Sequence, residues 1–147
     1  MDRDAAVQAL REALGDAVDE PRALPVDELF VPVQVGVLRD AVALLLNPLG
    51  ICHLSTITGL DDGEQIVLHY HFWHGSGLTL SVCLPYDQAE APTLTDLIAG
   101  AGFYEREVAE MLGVAFAGLG EMAPLLLPDD WDEGPPLRHG ADGEGGA

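Results

Sequence analysis

Three histidines in one predicted β-hairpin are the residues whose types and spacing best suit metal chemistry. His69 and His71 alternate along a predicted strand, so their side chains project from the same face, and His74 follows in the turn. Imidazole nitrogens are common zinc ligands, and three protein ligands with a bound water form a hydrolytic zinc centre. No carboxylate inside the hairpin completes such a set. We predict no metal site here and keep a zinc-dependent enzyme that uses these three histidines as a distant alternative.

A charged helix that begins at Phe103 carries a second group of polar side chains. Glu105 and Glu107 fall in its first turn, where the helix dipole favours negative charge. Arg106 precedes Glu110 by four residues, a spacing at which the two side chains can pair. The stripe expected to face the core holds Tyr104, Val108, Met111 and Leu112. Phe103 projects among the charges on the other face, and an aromatic side chain in that setting favours a docking surface.

The remaining patterns do not amount to a cofactor site. Gly100-Ala101-Gly102 resembles the start of a dinucleotide-binding loop, but the third glycine of G-x-G-x-x-G would fall on Glu105. Cys52 and Cys83 are too few for an iron–sulfur cluster, which normally takes four ligands. The G-x-S-x-G motif of serine hydrolases does not occur. We therefore expect that the chain binds no cofactor and is not catalytic on its own.

The charge balance argues against two classes of partner. Six arginines and no lysine stand against 25 acidic residues, for a formal net charge of -19. Nucleic acid and anionic lipid are both bound through basic residues, so neither is an expected ligand. No stretch reaches the roughly 20 apolar residues of a membrane span, and the N-terminus does not resemble a signal peptide, so an intracellular protein is expected. The acidic surface suits docking to a basic face of another protein, or serves solubility alone.

The periodicity of apolar residues predicts the elements that position these side chains. The predicted helices are residues 3–18, 36–46 and 103–112. The predicted strands are 30–34, 51–57 and the two arms of a hairpin, 65–73 and 78–84. Pro32 should confine the first strand to a sheet edge. This order predicts an α+β fold with a small, mostly antiparallel sheet that is centred on hairpin 65–84 and covered by helices.

The chain length suits one globular domain, which we place at residues 1–128. Residues 129–147 are acidic and rich in proline and glycine, without apolar periodicity. Such a composition does not fold alone, so we predict an acidic tail that is extended or disordered until a partner orders it.

The segment GFYEREVAEMLGV (102–114) resembles the signature of the 30 kDa subunit family of NADH-quinone oxidoreductase, the respiratory complex I. The family pattern is an aromatic residue, Tyr-Glu-Arg-Glu, two variable residues, an acid, two apolar residues and glycine. The matching positions are Tyr104, Glu105, Arg106, Glu107, Glu110, Met111, Leu112 and Gly113. Further segments resemble the family in the same order, from residues 53–63 through the hairpin 65–84 to residues 125–138.

The resemblance implies a non-catalytic subunit in the peripheral arm of a complex I-like, membrane-bound oxidoreductase, on the cytoplasmic side of the cell membrane. It implies docking onto the large subunit that forms the quinone site, beside iron–sulfur subunits, in support of assembly and electron transfer to quinone. Contact with the membrane would come only through the complex, and the family binds no cofactor in this subunit. The predicted partner contacts are Phe103, Tyr104, Glu105, Arg106, Glu107, Glu110, Trp131 and Arg138, with Trp131 and Arg138 anchoring the tail.

Some positions depart from the family pattern. Leu119 and Ala123 stand where the family usually has basic residues, and His139-Gly140 follows Arg138 where the respiratory form often continues with Lys-Asp. These departures leave open the equivalent subunit of a membrane-bound nickel–iron hydrogenase, in which the large partner holds the nickel–iron site. The electron donor, whether NADH, ferredoxin, a deazaflavin or hydrogen, is a property of other chains.

Overall fold

The computed structural model describes residues 2–120 and 124–138. The helices are α1 (Arg3–Leu14), α2 (Leu38–Leu46) and α3 (Ala101–Leu112). The strands are β1 (Arg22–Leu24), β2 (Glu28–Pro32), β3 (Leu54–Asp61), β4 (Gln65–Trp73), β5 (Gly77–Pro85), β6 (Glu90–Pro92) and β7 (Ala115–Ala117). The predicted α+β class is confirmed. Among the described residues, no helix combines the length and the apolar character that a membrane span requires.

Five strands form one sheet in the order β1-β2-β5-β4-β3, and β6 and β7 form a separate parallel pair. Residues 62–64 join β3 to β4, and residues 74–76 join β4 to β5. Links this short connect only antiparallel neighbours, since parallel strands need a long crossover. β1 is antiparallel to β2, whereas β2 runs parallel to β5 with Phe30 opposite Thr79. The predicted hairpin and the mostly antiparallel sheet are therefore confirmed.

The prediction of an edge strand around Pro32 was wrong, because β2 lies between β1 and β5. Pro32 is the last residue of β2, and the register with β1 already ends at Phe30. The next residue, Val33, donates its backbone N–H to the Ser81 carbonyl at 2.9 Å on the β5 side. Backbone N–H groups of successive residues face opposite sides of a strand. The side on which Pro32 lacks an N–H is therefore the β1 side, at a point beyond the end of β1. An interior strand therefore accepts this proline without losing a ladder hydrogen bond.

Several element boundaries differ from the prediction. α1 ends at Leu14, four residues early, because the N–H of Gly15 caps it by donating to the Arg11 carbonyl and a short 3₁₀ turn follows. α2 begins at Leu38 after another 3₁₀ turn and ends before Asn47-Pro48, as predicted. β3 starts about three residues later than the predicted strand 51–57, and α3 starts two residues earlier than predicted.

The chain divides into two compact units. The first holds the residues up to Thr56 together with His69–Val82, and the second holds Ile57–Leu68 and the described residues from Cys83 onward. In the first unit α1 packs on α2. Its buried side chains include Leu10, Leu38, Leu45, Tyr70, Phe72 and Leu80. The buried side chains of the second unit include Ile57, Ile66, Leu68, Leu94, Val108 and Leu112.

Gly59 of β3 permits a close approach between the strand and α3 inside the second unit. A Cβ atom at this position would overlap Cδ1 of Leu112 and would lie 3.4 Å from Cγ1 of Val108. Both of these α3 side chains are buried. A larger residue therefore cannot occupy position 59 unless the helix or its side chains shift.

Candidate functional site

α3 presents one buried face and one outward face. The buried residues are Ala101, Glu105, Val108 and Leu112, whose spacing of three and four residues places them on one side of the helix. The stripe predicted from the sequence is confirmed for Val108 and Leu112, whereas Tyr104 and Met111 are only half-buried. On the outward face Phe103 is 54% exposed, and its ring meets the ring of Tyr104 edge-on at 6.1 Å between centroids.

Glu105 lies inside the second unit and not on its surface. The residue is 0% exposed, and its carboxylate accepts hydrogen bonds from the Thr93 hydroxyl and from the backbone N–H of Leu94, both at 2.6 Å. Burial raises the pKa of Glu105 even though these two hydrogen bonds act in the opposite direction. The predicted role of Glu105 as a partner contact conflicts with this burial, because the side chain has no surface to offer.

Glu110 binds the segment that follows the helix. Its carboxylate accepts the backbone N–H groups of Leu125 at 2.9 Å and Leu126 at 2.7 Å. Desolvation acts to raise the pKa of Glu110, but these backbone donors, with the nearby charge of Arg106, outweigh it and lower the pKa. Glu110 therefore remains a carboxylate that holds its own chain, and the positive charge of Arg106 lies near enough to help lower its pKa.

Arg138 also contacts its own chain. The guanidinium carbon lies 4.5 Å from the centre of the Tyr86 ring. One guanidinium nitrogen donates to the Leu112 carbonyl at 3.1 Å, and another donates to the Tyr86 carbonyl. The backbone N–H of Leu137 donates to the Met111 carbonyl at 2.9 Å. The last carbonyls of a helix have no partner within the helix, so residues 137 and 138 supply the hydrogen bonds that end α3.

Trp131 and Arg138, predicted to anchor the tail together, have separate partners in the structure. The indole N–H of Trp131 donates to the Gly134 carbonyl at 2.6 Å, and its backbone N–H donates to the Pro128 carbonyl at 3.0 Å. These bonds fold the segment on itself around the tryptophan, which is 38% exposed. Leu126 and Leu137 of the same segment are 52% and 58% exposed. Residues 139–147 of the predicted tail lie outside the described residues.

The three histidines belong to the first unit and do not converge. Nδ1 of His71 lies 3.1 Å from a carboxylate oxygen of Glu28 and 2.9 Å from the Thr79 hydroxyl, which donates to the same carboxylate. The His69 ring packs 5.1 Å from the Phe30 ring and 6.0 Å from the His71 ring, measured between centroids. Within residues 2–120 and 124–138, no three His, Cys, Asp or Glu side chains are arranged to hold a metal ion. The structure thus gives no support to the zinc alternative.

Glu28 makes the stability of the first unit depend on pH, and the sign of this dependence can be predicted. The Thr79 hydroxyl that donates to it lowers the pKa of Glu28; burial opposes this, and the His71 ring reinforces it. The native state therefore gains stability from this carboxylate above the ordinary glutamate pKa of about 4.3 and loses that gain as the pH falls further.

We expect the Glu28→Gln variant to lose less stability than the wild type between neutral pH and pH values below about 4. Thr79→Val, which removes the donor with the largest effect on that pKa, should show a similarly shallow dependence. Urea unfolding followed by far-UV circular dichroism across this range measures both effects. A Glu28→Gln profile parallel to that of the wild type would contradict this account.

Sequence reasoning missed the groups that bind these side chains. Glu28 supplies the carboxylate that the hairpin lacks, but it comes from β2, whose pairing with β5 has no local signal. Tyr86, which follows β5, receives the Arg138 guanidinium, although no motif pointed to it. Thr93 accepts the backbone N–H of Thr95 at 3.2 Å and donates its hydroxyl to Glu105, and no motif indicated these contacts either. The spacing of residues 101, 105, 108 and 112 would have indicated the burial of Glu105.

The protein family described as "Respiratory-chain NADH dehydrogenase, 30 Kd subunit" matches residues 31–146. The chain is 29% identical over 141 residues to a subunit of NADH-quinone oxidoreductase from Chloroherpeton thalassium, a match that covers 90% of this chain and 58% of that protein. It is 27% identical over 148 residues to a subunit of F(420)H(2) dehydrogenase from Methanosarcina mazei, a match that covers 97% and 94%. The chain therefore spans little more than half of the first relative and nearly all of the second.

Two solved structures share this fold. The trypsin-resistant fragment (1-134) of Nqo5 superposes with a TM-score of 0.67 at 25% identity, over 78% of this chain and 97% of that one. A chain of the membrane-bound sulfane sulfur reductase, an archaeal respiratory membrane complex, superposes with a TM-score of 0.72 at 24% identity, over 88% and 79%. The second likeness concerns the fold alone.

Proposed function

The chain belongs to the family of the respiratory-chain NADH dehydrogenase 30 kDa subunit, and from this premise we propose that it is a non-catalytic, peripheral subunit of a complex I-like, membrane-bound oxidoreductase. The family match over residues 31–146 is the observation that carries the proposal. In this proposal the chain docks onto the large quinone-site subunit beside the iron–sulfur subunits, and so supports assembly and electron transfer to quinone. It meets the membrane only through the complex, on the cytoplasmic side.

The exposed apolar side chains of the second unit support a docking role. They are Leu60, Phe103, Leu126, Trp131 and Leu137. Aromatic residues are enriched in the core of protein interfaces, which makes Phe103 and Trp131 the strongest candidates for contact. Arg106 and Glu107, which are half-buried on α3, flank Phe103 and complete the proposed contact surface.

The electron donor is assigned to other subunits. The two relatives are subunits of complexes named for different donors, NADH and reduced F420. This difference supports a chain whose role does not depend on the donor. The equivalent subunit of a nickel–iron hydrogenase remains the alternative that the sequence departures favour.

Affinity purification of the tagged chain from membranes of its host, in mild detergent, tests the proposed function. We expect a large subunit related to the quinone-site subunit of complex I to follow it, identified by mass spectrometry. A large subunit with the paired cysteines that ligate nickel would instead indicate the hydrogenase form. Recovery of the chain without either subunit would contradict the proposal.

We expect Arg106→Ala to weaken assembly and leave the fold intact. Truncating one partner of a buried, hydrogen-bonded charge pair at an interface costs about 2–5 kcal/mol. The yield of the co-purified large subunit should therefore fall sharply, while the thermal unfolding of the isolated chain changes little. Arg11→Ala is the matched control, because Arg11 is an exposed arginine of the first unit whose guanidinium pairs with Glu20 of its own chain. A normal yield with Arg106→Ala would overturn the assignment of Arg106 to the interface.

A further inference from the structure

The segment 124–138 is fixed at both ends to the last turn of α3. At its beginning, Leu125 and Leu126 donate their backbone N–H groups to Glu110. At its end, Leu137 and Arg138 donate to the Met111 and Leu112 carbonyls. A chain segment held at two points by one helix turn has few conformations left, so the segment has a defined shape without a partner.

The guanidinium of Arg138 is occupied by its own chain. Its nitrogens donate to the Leu112 carbonyl at the end of α3 and to the Tyr86 carbonyl after β5, while its central carbon lies 4.5 Å from the centre of the Tyr86 ring. The Tyr86 hydroxyl in turn donates to Asp61 at 2.6 Å, and Asp61 is 4% exposed. The arginine is therefore the end of a chain of contacts that leads into the second unit.

A close approach of the Pro135 ring to the backbone of Gly113 fixes the same place. Gly113, which follows α3, has a φ of +71°, a conformation that suits glycine. A Cβ atom built there would lie 2.8 Å from Cγ and 3.6 Å from Cβ of Pro135. The segment thus packs directly against the end of the helix three residues before Arg138.

We propose that Arg138 is a positioning residue, which holds segment 124–138 in the shape that docks and makes no contact with the partner itself. The inference rests on the proposed function and changes the assignment made from the sequence, where Arg138 was a partner contact. A segment that is already ordered loses less conformational entropy on docking than one that folds on its partner.

The groups that the segment offers outward are apolar and acidic. Leu126, Trp131 and Leu137 are its exposed large apolar side chains. Asp129, Asp130, Asp132 and Glu133 are exposed beside the tryptophan, and the only basic residue of the segment, Arg138, is turned onto Tyr86. The occupant that fits is a surface of the large subunit that combines apolar and basic residues.

Hydrogen exchange of the isolated full chain tests the positioning directly. We expect the amides of peptides from segment 124–138 to be protected in the wild type and to lose that protection in Arg138→Ala. Tyr86→Ala removes the ring beneath the guanidinium and should have the same effect, whereas Tyr86→Phe keeps the ring and should stay protected. Unchanged protection in Arg138→Ala would overturn the proposal.

Binding is measured with the remaining complex prepared from a host strain that lacks this chain. Arg138→Ala and Tyr86→Ala should each weaken binding by about tenfold, and the double variant by little more than either, because both remove one positioning contact. Leu126→Ala removes an exposed apolar side chain but keeps the backbone N–H that binds Glu110, so it should weaken binding while its segment stays protected. Additive losses for Arg138→Ala and Tyr86→Ala would contradict the inference.

A disulfide can replace the arginine. The 3.6 Å between a Cβ at position 113 and Cβ of Pro135 falls within the usual range for disulfides, so Gly113→Cys with Pro135→Cys is the crosslink to test. A cysteine at position 113 is strained by the φ of +71°, so the crosslinked chain that keeps Arg138 must itself show protection and binding close to those of the wild type. The exposed Cys52 and Cys83 are first changed to serine, and the same disulfide in a chain that keeps Arg138 serves as control. In Arg138→Ala the oxidised disulfide should restore both protection and binding.

The outcomes separate the positioning role of Arg138 from the proposed function of the chain. Restored protection without restored binding would show that the partner contacts Arg138 itself, which overturns the positioning role. If the wild-type chain fails to bind the remaining complex, the proposed function fails, and the docking half of the inference fails with it. The exchange result would in that case still decide whether Arg138 positions the segment.

Discussion

Glu105→Ala is expected to lower the free energy of unfolding by about 2–5 kcal/mol, more than most single substitutions do. The change removes the carboxylate that both the Thr93 hydroxyl and the Leu94 N–H use, so it leaves the buried Leu94 N–H without this acceptor and forces the Thr93 hydroxyl to turn to Thr95. Each buried group that loses its partner costs about 1–3 kcal/mol. Urea unfolding at pH 7, followed by tryptophan fluorescence and circular dichroism, measures the loss.

Glu105→Gln separates the hydrogen bonds from the charge. The amide oxygen can accept from Leu94, and the amide nitrogen can donate to the Thr93 hydroxyl, whose own proton can turn to Thr95 at 2.9 Å. We therefore expect the Glu105→Gln variant to be nearly as stable as the wild type at pH 7. An equal loss in both substitutions would mean that the negative charge, and not the hydrogen bonds, makes position 105 important.

The difference in stability between the wild type and the Glu105→Gln variant should depend on pH with a definite sign. Burial raises the pKa of Glu105, so the native state holds this proton more tightly than the unfolded chain does. The contribution of Glu105 to stability therefore declines as the pH rises from about 4.3 through the raised native pKa. Glu105→Gln has no such decline, so its stability relative to the wild type should improve over that window.

Gly59→Ala is expected to destabilise the chain by about 1–3 kcal/mol, because it inserts a methyl group into space that Leu112 already fills. Gly36→Ala is the matched control, since a Cβ at position 36 meets no atom within 4 Å, and its effect should stay within about 0.5 kcal/mol. Thermal and urea unfolding of the two variants give the comparison.

A substitution at Leu112 tests whether the clash with its side chain explains the effect of Gly59→Ala. Leu112→Ala alone leaves a cavity and should cost about 2–5 kcal/mol. Combined with Gly59→Ala it should cost less than the sum of the two, because the shorter side chain makes room for the new methyl group. Strict additivity would mean that the close approach of β3 and α3 does not explain the glycine.

The parts of the fold that depend on local pattern could be predicted from the sequence. The alternation of residues 65–73 and 78–84 predicted the hairpin, and Asn47-Pro48 marked the end of α2. The position of β2 could not be predicted in this way. Its partner β5 is 49 positions away, from Glu28 to Gly77, and nothing in either strand specifies the other. Pro32 then gave a misleading signal, because its effect depends on which side of the strand is paired.

In the candidate site, too, some features could be predicted from the sequence and others could not. The signature around Tyr104 identified the family, since a pattern of residue types is enough for a resemblance. It did not reveal which signature residues face inward, because Glu105 was not part of the predicted apolar stripe and a charged side chain is rarely fully buried. The targets of Glu110 and Arg138 are backbone groups, which the side-chain sequence does not encode.

The order in which the chain passes through its two units limits how the protein can be dissected. It passes from one unit to the other after Thr56, Leu68 and Val82, so neither unit is a continuous stretch of sequence. A fragment that stops at Thr56 lacks β5, the neighbour of β2, and one that starts at Cys83 lacks the stretch that contains Gly59. Neither unit can therefore be inherited, exchanged or produced as a separate module by a single cut. Contacts this distant in sequence also predict folding slower than that of a helical bundle of similar length.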